Sequence, residues 1–235
     1  MKKTKLNKFS KKSLDFLVKA GKQKHPDWLE KNKIEYEEVL KIPFITLAKE
    51  IKAKLKPLAP SYHFPSTGLA RIKRPEFKVL GGQPQFKDWI SMIASKPSAT
   101  RFESNPHLFF GLFPNEKQKI LLAGGLWQPT SNQTRKIRHA ISQDSEPFHQ
   151  LFKDSKFKSS FKKGFSLDNQ AIRTPKGFSE DQPDLEWIRL KNFVVMKEFS
   201  ITQFSSPKFS DLVIADFTQA LRLNKLLENA LMSRM

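Results

Sequence analysis

The sequence predicts a single α+β domain in which an antiparallel or mixed sheet packs against several helices. Its 235 residues are enough for one large domain with a core of its own. Segments with helical spacing of apolar residues stand at both ends of the chain, and apolar runs of strand length lie between them. The sequence contains no repeat or heptad array. These three observations favour one mixed α+β unit.

A basic arm and a first helix are predicted at the N-terminus. Residues 1–12 are rich in lysine and are predicted to form a disordered arm, so the folded domain is expected to span residues 13–235. The first helix is expected to begin near Ser10 or Ser13, because serine is a good N-cap residue. It is expected to end at Gly21.

Two further helices and an extended segment follow. Asp27 reads as the N-cap of a second helix. Pro43 suits the first turn of a third helix, whose apolar residues recur at helical spacing as far as Pro57. Beyond the proline-rich loop, residues 69–72 and 77–80 are predicted to be extended.

The middle of the chain predicts a β-hairpin and two helices. The apolar runs 107–113 and 118–123 have strand length and are separated by a turn. Thr130 or the serine after it can cap a helix that ends at Ile141. A further helix is predicted over residues 147–163.

The last third of the chain predicts a helix, a strand and a long closing helix. Residues 184–190 read as a short helix, and residues 192–199 as a strand. Ser206 and Pro207 form a pair typical of a helix cap and first turn, so the closing helix is expected to begin there.

Charge and composition limit the classes of function. The chain has 42 Lys and Arg against 23 Asp and Glu, a formal net charge of +19, and no cysteine. Such a surface attracts nucleic acid, anionic lipid or acidic protein, although a solvated lysine-rich surface explains the same numbers. The lack of cysteine excludes disulfides and thiolate chemistry. No apolar run is long enough for a membrane span, so a cytoplasmic protein is expected.

Familiar catalytic patterns are missing from the sequence. There is no nucleophile elbow, phosphate loop, dinucleotide fingerprint or zinc-protease motif. The five histidines are scattered without the spacing of metal ligands. We therefore expect no metal and no cofactor.

One window, from residue 71 to residue 86, carries a charged pattern with an unusual spacing. It resembles the signature Arg-x-x-Arg-Asp-x-Arg-Phe-x-x-x-Asp/Asn-Lys-x-x-Tyr of the bacterial family called domain of unknown function 2461. Arg71 and Arg74 match the two leading arginines, and Phe86 stands in place of the tyrosine. Other residues occupy the remaining signature positions: Pro75, Phe77, Lys78, Gly82 and Gln83.

Further blocks of sequence are similar to the same family. The segment 26–36 with Pro43-Phe44 resembles its opening helices, and Gly124-Gly-Leu-Trp127-Gln-Pro129 resembles a later segment of the family. Pro175-Lys176-Gly177-Phe178 resembles a turn in which the family has a histidine at the position of Gln182. The resemblance implies membership of the family but no particular activity.

The signature suggests binding of a phosphate or carboxylate, since arginine pairs with such groups through two hydrogen bonds. We expect a non-catalytic domain that binds an anionic partner, nucleic acid or a phosphate-bearing ligand, through a basic face. Arg71 and Arg74 would point to opposite sides of a regular strand, so one alternative is that they are solvated or cap a carbonyl. The candidate ligand-binding residues are Arg71, Arg74, Phe86, Trp127, Arg135, Arg138, Lys176 and Gly177.

Two other functions fit the same sequence. One is an enzyme that acts on a small phosphorylated or carboxylated substrate in a pocket between the window, Trp127 and the 175–177 turn. The other is a structural or protein-interaction module whose charge attracts acidic partners. Each leaves the α+β fold unchanged.

Aromatic residues elsewhere allow a binding interpretation and a packing interpretation. Phe157, Phe161 and Phe165 alternate with lysines, which suits base stacking, but their helical spacing favours core packing. Gly124 and Gly125 can admit a ligand close to the backbone, or can end a strand with Trp127 packed beneath a helix.

Overall fold

The sheet at the centre of the molecule has four antiparallel strands in sequence order. The computed structural model describes residues 9–98, 100, 103–115 and 119–233. The strands are β1 (Ile90–Ser95), β2 (His107–Phe113), β3 (Lys119–Leu126) and β4 (Phe193–Glu198). Antiparallel pairing throughout confirms the α+β class.

Helices precede the sheet, fill the long connection between β3 and β4, and follow β4. Before the sheet lie α1 (Lys11–Gly21), α2 (Trp28–Lys31), α3 (Lys33–Tyr36), α4 (Ile42–Leu55) and α5 (Glu76–Leu80). The connection contains α6 (Ser131–Gln143), α7 (Glu146–Lys153), α8 (Ser155–Ser160) and α9 (Leu185–Ile188). After β4 come α10 (Ile201–Phe204) and α11 (Phe209–Met232).

The predicted β-hairpin is confirmed as β2 and β3. His107 pairs with Gly125 at one end, and Phe113 pairs with Lys119 at the other. Side chains alternate between the two faces of each strand. The inner face carries the buried residues Ile90, Met92, Ala94, Leu108, Phe110, Leu112, Ile120, Leu122, Phe193 and Val195.

The closing helix α11 crosses this inner face and joins the sheet to the helices. It contacts β2, β3, α4, α6, α7 and α8. Gly124 makes the close approach of β3 and α11 possible, because a Cβ atom at this position would lie 2.4 Å from the Cβ of Ala220. This packing against α11 differs from both roles predicted for Gly124, which were access of a ligand to the backbone and a strand end with Trp127 beneath a helix.

The second and third predicted helices form one bent segment. Asp27 precedes α2, a short α3 follows, and a π-helical turn (Glu37–Lys41) leads without a break into α4. Ile42 N–H donates to the Glu37 carbonyl five residues back. A π turn has this wider hydrogen-bond spacing, and it accommodates Pro43, which has no N–H to donate.

Other predictions about elements were wrong. Residues 69–72 are not extended, since Leu69 and Ala70 lie in a turn and Ala70 has a positive φ of 59°. Two further errors have a local cause. Residues 77–80 are not extended: Pro75 caps α5, its carbonyl accepts from Lys78 N–H at 3.0 Å, and Gly81 follows the last turn. The predicted helix over 147–163 is two helices, because Asp154 leaves the helical conformation with ψ of 129° and caps α8 through Phe157 N–H at 2.9 Å. In both cases a local cap outweighs the apolar spacing.

Several helix boundaries were predicted closely. Ser10 precedes α1, and Thr130 caps α6 by accepting from Gln133 N–H at 3.2 Å. The closing helix begins later than predicted, at Phe209, because the chain from Ser206 forms a turn first.

The N-terminal arm was predicted to end at residue 12. Residues 1–8 lie outside the described residues. Phe9 is buried and stacks on Phe204 with ring centroids 4.8 Å apart, and the next residues open α1. The packed structure therefore includes residues 9–12. None of the helices in the described ranges has both the length and the apolar character needed to cross a membrane.

Candidate functional site

The outer face of the sheet, opposite α11, carries mostly apolar side chains, and some of them are exposed to solvent. One row across the four strands pairs Ile93 with Phe109, Phe109 with Ala123, and Ala123 with Met196. Ile93 and Met196 at the two ends of this row are exposed. An exposed row of large apolar side chains marks an interaction surface.

This face forms the floor of a cleft of about 670 Å³, which we call the sheet-face cleft. Trp89 and Trp127 contribute to its sides, and residues of the 98–105 loop line one end. Clefts of roughly this volume hold small organic ligands in many proteins. The remaining lining residues are Ser91, Ile93, Ser95, His107, Phe109, Phe113, Leu121, Ala123, Gly124, Gln128, Val194 and Met196.

Three aromatic rings form a continuous series along the cleft. The centroids of Trp89 and Phe113 are 6.0 Å apart with 20° between the ring planes, and those of Phe113 and Phe109 are 6.1 Å apart at 17°. Gly111 lies between the two phenylalanines on β2. A Cβ at Gly111 would lie 2.5 Å from the Phe113 ring, so glycine allows the rings to cover the strand. The result is a broad, flat aromatic surface.

Trp127 lies beside this surface at the end of β3. Its neighbour Gln128 has a positive φ of 52°, and the buried Asn192 side chain accepts from Gln128 N–H at 2.7 Å. This bond holds the turn that follows the strand. Trp127 is 45% exposed and lines the cleft, so it is not packed beneath a helix.

A polar end closes the cleft near His107. Burial lowers the pKa of His107, while its Nδ1 lies 3.1 Å from the Asn105 carbonyl oxygen. A neutral imidazole near pH 7 therefore faces this region. Two hydrogen bonds stabilise the loop between β1 and β2. Asn105 donates to the Pro97 carbonyl at 2.7 Å, and Gln133 donates to the Ser104 carbonyl at 2.6 Å.

A second layer of polar contacts supports the same loop. Tyr62 Oη donates to Glu228 of α11 at 2.9 Å, and Lys96 Nζ lies 2.5 Å from the same carboxylate. Asn224, which is fully buried, donates to Tyr62 Oη at 3.2 Å. Burial and the neighbouring Glu228 raise the pKa of Tyr62, so its hydroxyl remains a donor. These contacts connect the loop to α11.

Four cations lie close to one another near Trp89, although none of them lines the sheet-face cleft. We call Arg71, Arg74, Lys78 and Lys87 the cation cluster. The Lys87 ammonium lies 4.9 Å from the Trp89 ring centroid. Burial lowers the pKa of Lys87, and the positive charges of Arg74, Lys78 and Arg71 lower it further. Like charges are therefore close enough to repel one another.

Backbone pairing between distant segments creates the cation cluster. Lys87 N–H donates to the Ile72 carbonyl at 2.9 Å, and Arg74 N–H donates to the Gln85 carbonyl at 3.1 Å. Arg71 is exposed while Arg74 is partly buried. Within the described part of the chain, no acceptor reaches the buried Nε of Arg74.

The other predicted site residues lie apart from this arrangement. Phe86 is buried and packs on Trp28 at a centroid distance of 5.5 Å. Arg135 is exposed and donates to Asn132, while Arg138 donates to the Leu190 carbonyl at 2.9 Å. Burial lowers the pKa of Arg138. The arginines of α6 thus make local contacts, and Arg138 serves the packing of the chain after α9.

The turn with Lys176 and Gly177 is also exposed, and neither residue lines the sheet-face cleft. Gly177 has a φ of +91°, which explains the need for glycine in this turn. The predicted pocket between the window, Trp127 and this turn is not the cleft found here, which shares only Trp127 with it.

Phe157, Phe161 and Phe165 are all buried, which confirms the packing interpretation of that stretch. Sequence reasoning instead missed the aromatic rings of the cleft. In the run 107–113, the residues that point to either face of the strand are mostly apolar. A strand that is buried on both faces has the same pattern. Only the placement of the helices shows which face is open.

Among the described residues, no group of three His, Asp or Glu side chains is arranged to hold a metal ion.

The family model described as "Conserved hypothetical protein (DUF2461)" matches residues 12–225. No curated protein and no solved structure matches the chain.

Proposed function

The chain belongs to the DUF2461 family, and we propose that this member binds an anionic ligand with a planar group, without catalysing a reaction. The planar group lies on the aromatic surface of the sheet-face cleft. The anionic group is held by Arg74 and Lys87 at the Trp89 side. Nucleotides and single-stranded nucleic acid share this chemistry.

One observation carries the proposal: the Lys87 ammonium is 4.9 Å from Trp89, and Trp89 begins the series of three stacked rings. A base has two apolar faces that stack on aromatic side chains, and its phosphate needs a cation nearby. The cleft and the cation cluster supply both contacts side by side.

The electrostatics of the cation cluster also favour an anion. The pKa of Lys87 is lowered first by burial and then by the positive charges of Arg74, Lys78 and Arg71, so the repulsion among these cations is unfavourable in the free protein. A phosphate between them would replace repulsion with charge-assisted hydrogen bonds. The Nε of Arg74 has no acceptor within the described part of the chain, but it is buried, so the guanidinium would have to turn for this atom to donate to a phosphate.

Binding can be measured by the intrinsic fluorescence of the protein, because Trp89 and Trp127 both line the cleft. We expect a nucleoside monophosphate or a short single-stranded oligonucleotide to change the emission, and inorganic phosphate to bind more weakly. Trp127→Ala is expected to weaken nucleotide binding by about tenfold, from the loss of stacking. A mononucleotide that binds as tightly as the oligonucleotide would identify the small ligand as the relevant one.

The matched control is Leu58→Ala, which removes an exposed apolar side chain after α4. Equal weakening by the control, or no binding of any base-containing anion, would contradict the proposal.

A further inference from the structure

Helix α5 presents two large apolar side chains to the outside of the molecule. Phe77 is 70% exposed and Leu80 is 81% exposed. They are three residues apart, so they lie on one side of the helical turn. Pro75 caps the start of α5 and Gly81 caps its end, so α5 is a short helix between two loops. We call Phe77 and Leu80 the apolar tip.

Three exposed cations lie within a few residues of the apolar tip along the chain. Arg71, Lys73 and Lys78 are exposed, and among the residues that the structure describes none of them forms an ion pair. Glu76 is the acidic residue of α5. The region around α5 therefore combines exposed apolar groups with an excess of positive charge.

We propose that α5 docks the protein on the surface of an anionic lipid bilayer. The apolar tip would enter the boundary between headgroups and acyl chains, while Arg71, Lys73 and Lys78 contact lipid phosphates. Peripheral membrane binding needs both kinds of contact, because a single weak contact is quickly reversed.

The combination of exposed apolar groups with cations that form no ion pair in the described part of the chain favours an anionic bilayer over a small ligand. Large apolar side chains beside long cationic side chains match the depth profile of a membrane interface. The charge of the whole chain, +19, adds long-range attraction to anionic lipid. Arg71 and Lys78 belong to both the docking surface and the cation cluster, but Phe77 and Leu80 do not line the sheet-face cleft. Docking through the apolar tip therefore does not rest on the proposed function.

Cosedimentation with lipid vesicles tests the docking. We expect the full chain to bind vesicles of phosphatidylcholine mixed with phosphatidylglycerol, and not vesicles of phosphatidylcholine alone. The double variant Phe77→Ser/Leu80→Ser is expected to lower the bound fraction by about tenfold, because the apolar contact is lost. Equal urea midpoints of variant and wild type would show that the fold is unchanged.

A matched pair of exposed residues elsewhere serves as the control. Ile34 is 75% exposed and Ile172 is 96% exposed. The variant Ile34→Ser/Ile172→Ser should bind mixed vesicles as the wild type does.

Three results would overturn the docking: no binding to mixed vesicles, unchanged binding of the Phe77→Ser/Leu80→Ser variant, or an equal loss in the control pair. If the Phe77→Ser/Leu80→Ser variant binds vesicles as well as the wild type does, and salt abolishes the binding of both proteins, net charge alone explains the adsorption.

Discussion

Lys87 lies in a position where its own charge is unfavourable. Burial and three neighbouring cations lower its pKa, and it has a ring on one side instead of a carboxylate. Residues of this kind that weaken the fold are often retained for binding. The charge of Lys87 lowers the free energy of unfolding by its full amount at pH values below its lowered pKa in the folded protein. Above the ordinary pKa of 10.5 this effect is gone, because the amine is neutral in both the folded and the unfolded state.

We therefore predict that Lys87→Met stabilises the protein while it weakens ligand binding. Since Lys87 is partly exposed, water screens the repulsion, and the expected gain in unfolding free energy near neutral pH is only about 0.5 kcal/mol. Urea unfolding measures this gain, and Lys49→Met, at an exposed position on α4, is the control. A destabilised Lys87→Met protein would mean that Lys87 has a structural role.

The absence of a Cβ atom at Gly124 determines how closely β3 and α11 pack in the core. The β3 strand and α11 approach so closely that alanine at 124 would overlap Ala220. We predict that Gly124→Ala lowers the unfolding free energy by about 1–3 kcal/mol, through overpacking of strand against helix. Gly81→Ala is the comparison, because a Cβ at Gly81 would meet its nearest atom at 3.4 Å. If both variants unfold at the same urea concentration, the close approach is not the cause.

The sequence predicted single residues well where local chemistry decides their role. Thr130 was one of two predicted caps and is the cap in the structure, and the phenylalanines of 157–165, for which core packing was favoured, are buried. The roles of Gly124 and Trp127 were left open, because they depend on which element lies opposite. That information is not local.

At the scale of elements, the loop between β1 and β2 is fastened to α11 by a buried polar network. Tyr62 is its centre, since its hydroxyl donates to Glu228 and accepts from Asn224. The loop supplies the polar end of the sheet-face cleft. Loss of the network should therefore affect both stability and binding.

We predict that Tyr62→Phe lowers the unfolding free energy by about 1–3 kcal/mol, because Asn224 is fully buried and would lose a partner. Nucleotide affinity should fall as well, because the loop is less firmly held. Tyr36→Phe is the comparison: Tyr36 makes a single bond to the Ala70 carbonyl at 2.9 Å, and its loss should cost about 1 kcal/mol. A cost for Tyr36→Phe equal to or above that for Tyr62→Phe would contradict this view of the network.

The sequence predicted the hairpin, the last strand and the two longest helices, because their apolar spacing is regular over many residues. It failed at α5 and at the break before α8, where a proline or aspartate cap decides the local conformation. The backbone pairing of 72–74 with 85–87 joins irregular segments without a periodic signal. The cation cluster depends on that pairing, so its assembly was not predictable.

At the scale of the whole molecule, an apolar cleft and a concentration of positive charge lie side by side. The net charge of +19 attracts any polyanion, and this attraction weakens with salt. Under the proposed function, the cleft would add selectivity for a planar group, and salt would affect this contribution little. The two contributions can be separated by ligands that differ only in charge.

Calorimetric titration with a nucleoside and its 5′-monophosphate, using the wild type and Lys87→Met, tests whether Lys87 holds the phosphate of a ligand bound in the cleft. For the wild type, the account predicts that the phosphate strengthens binding by about tenfold over the nucleoside. For Lys87→Met, most of this advantage should disappear while the affinity for the nucleoside is unchanged. An equal advantage of the phosphate in both proteins, or no heat of binding with either ligand, would contradict the account.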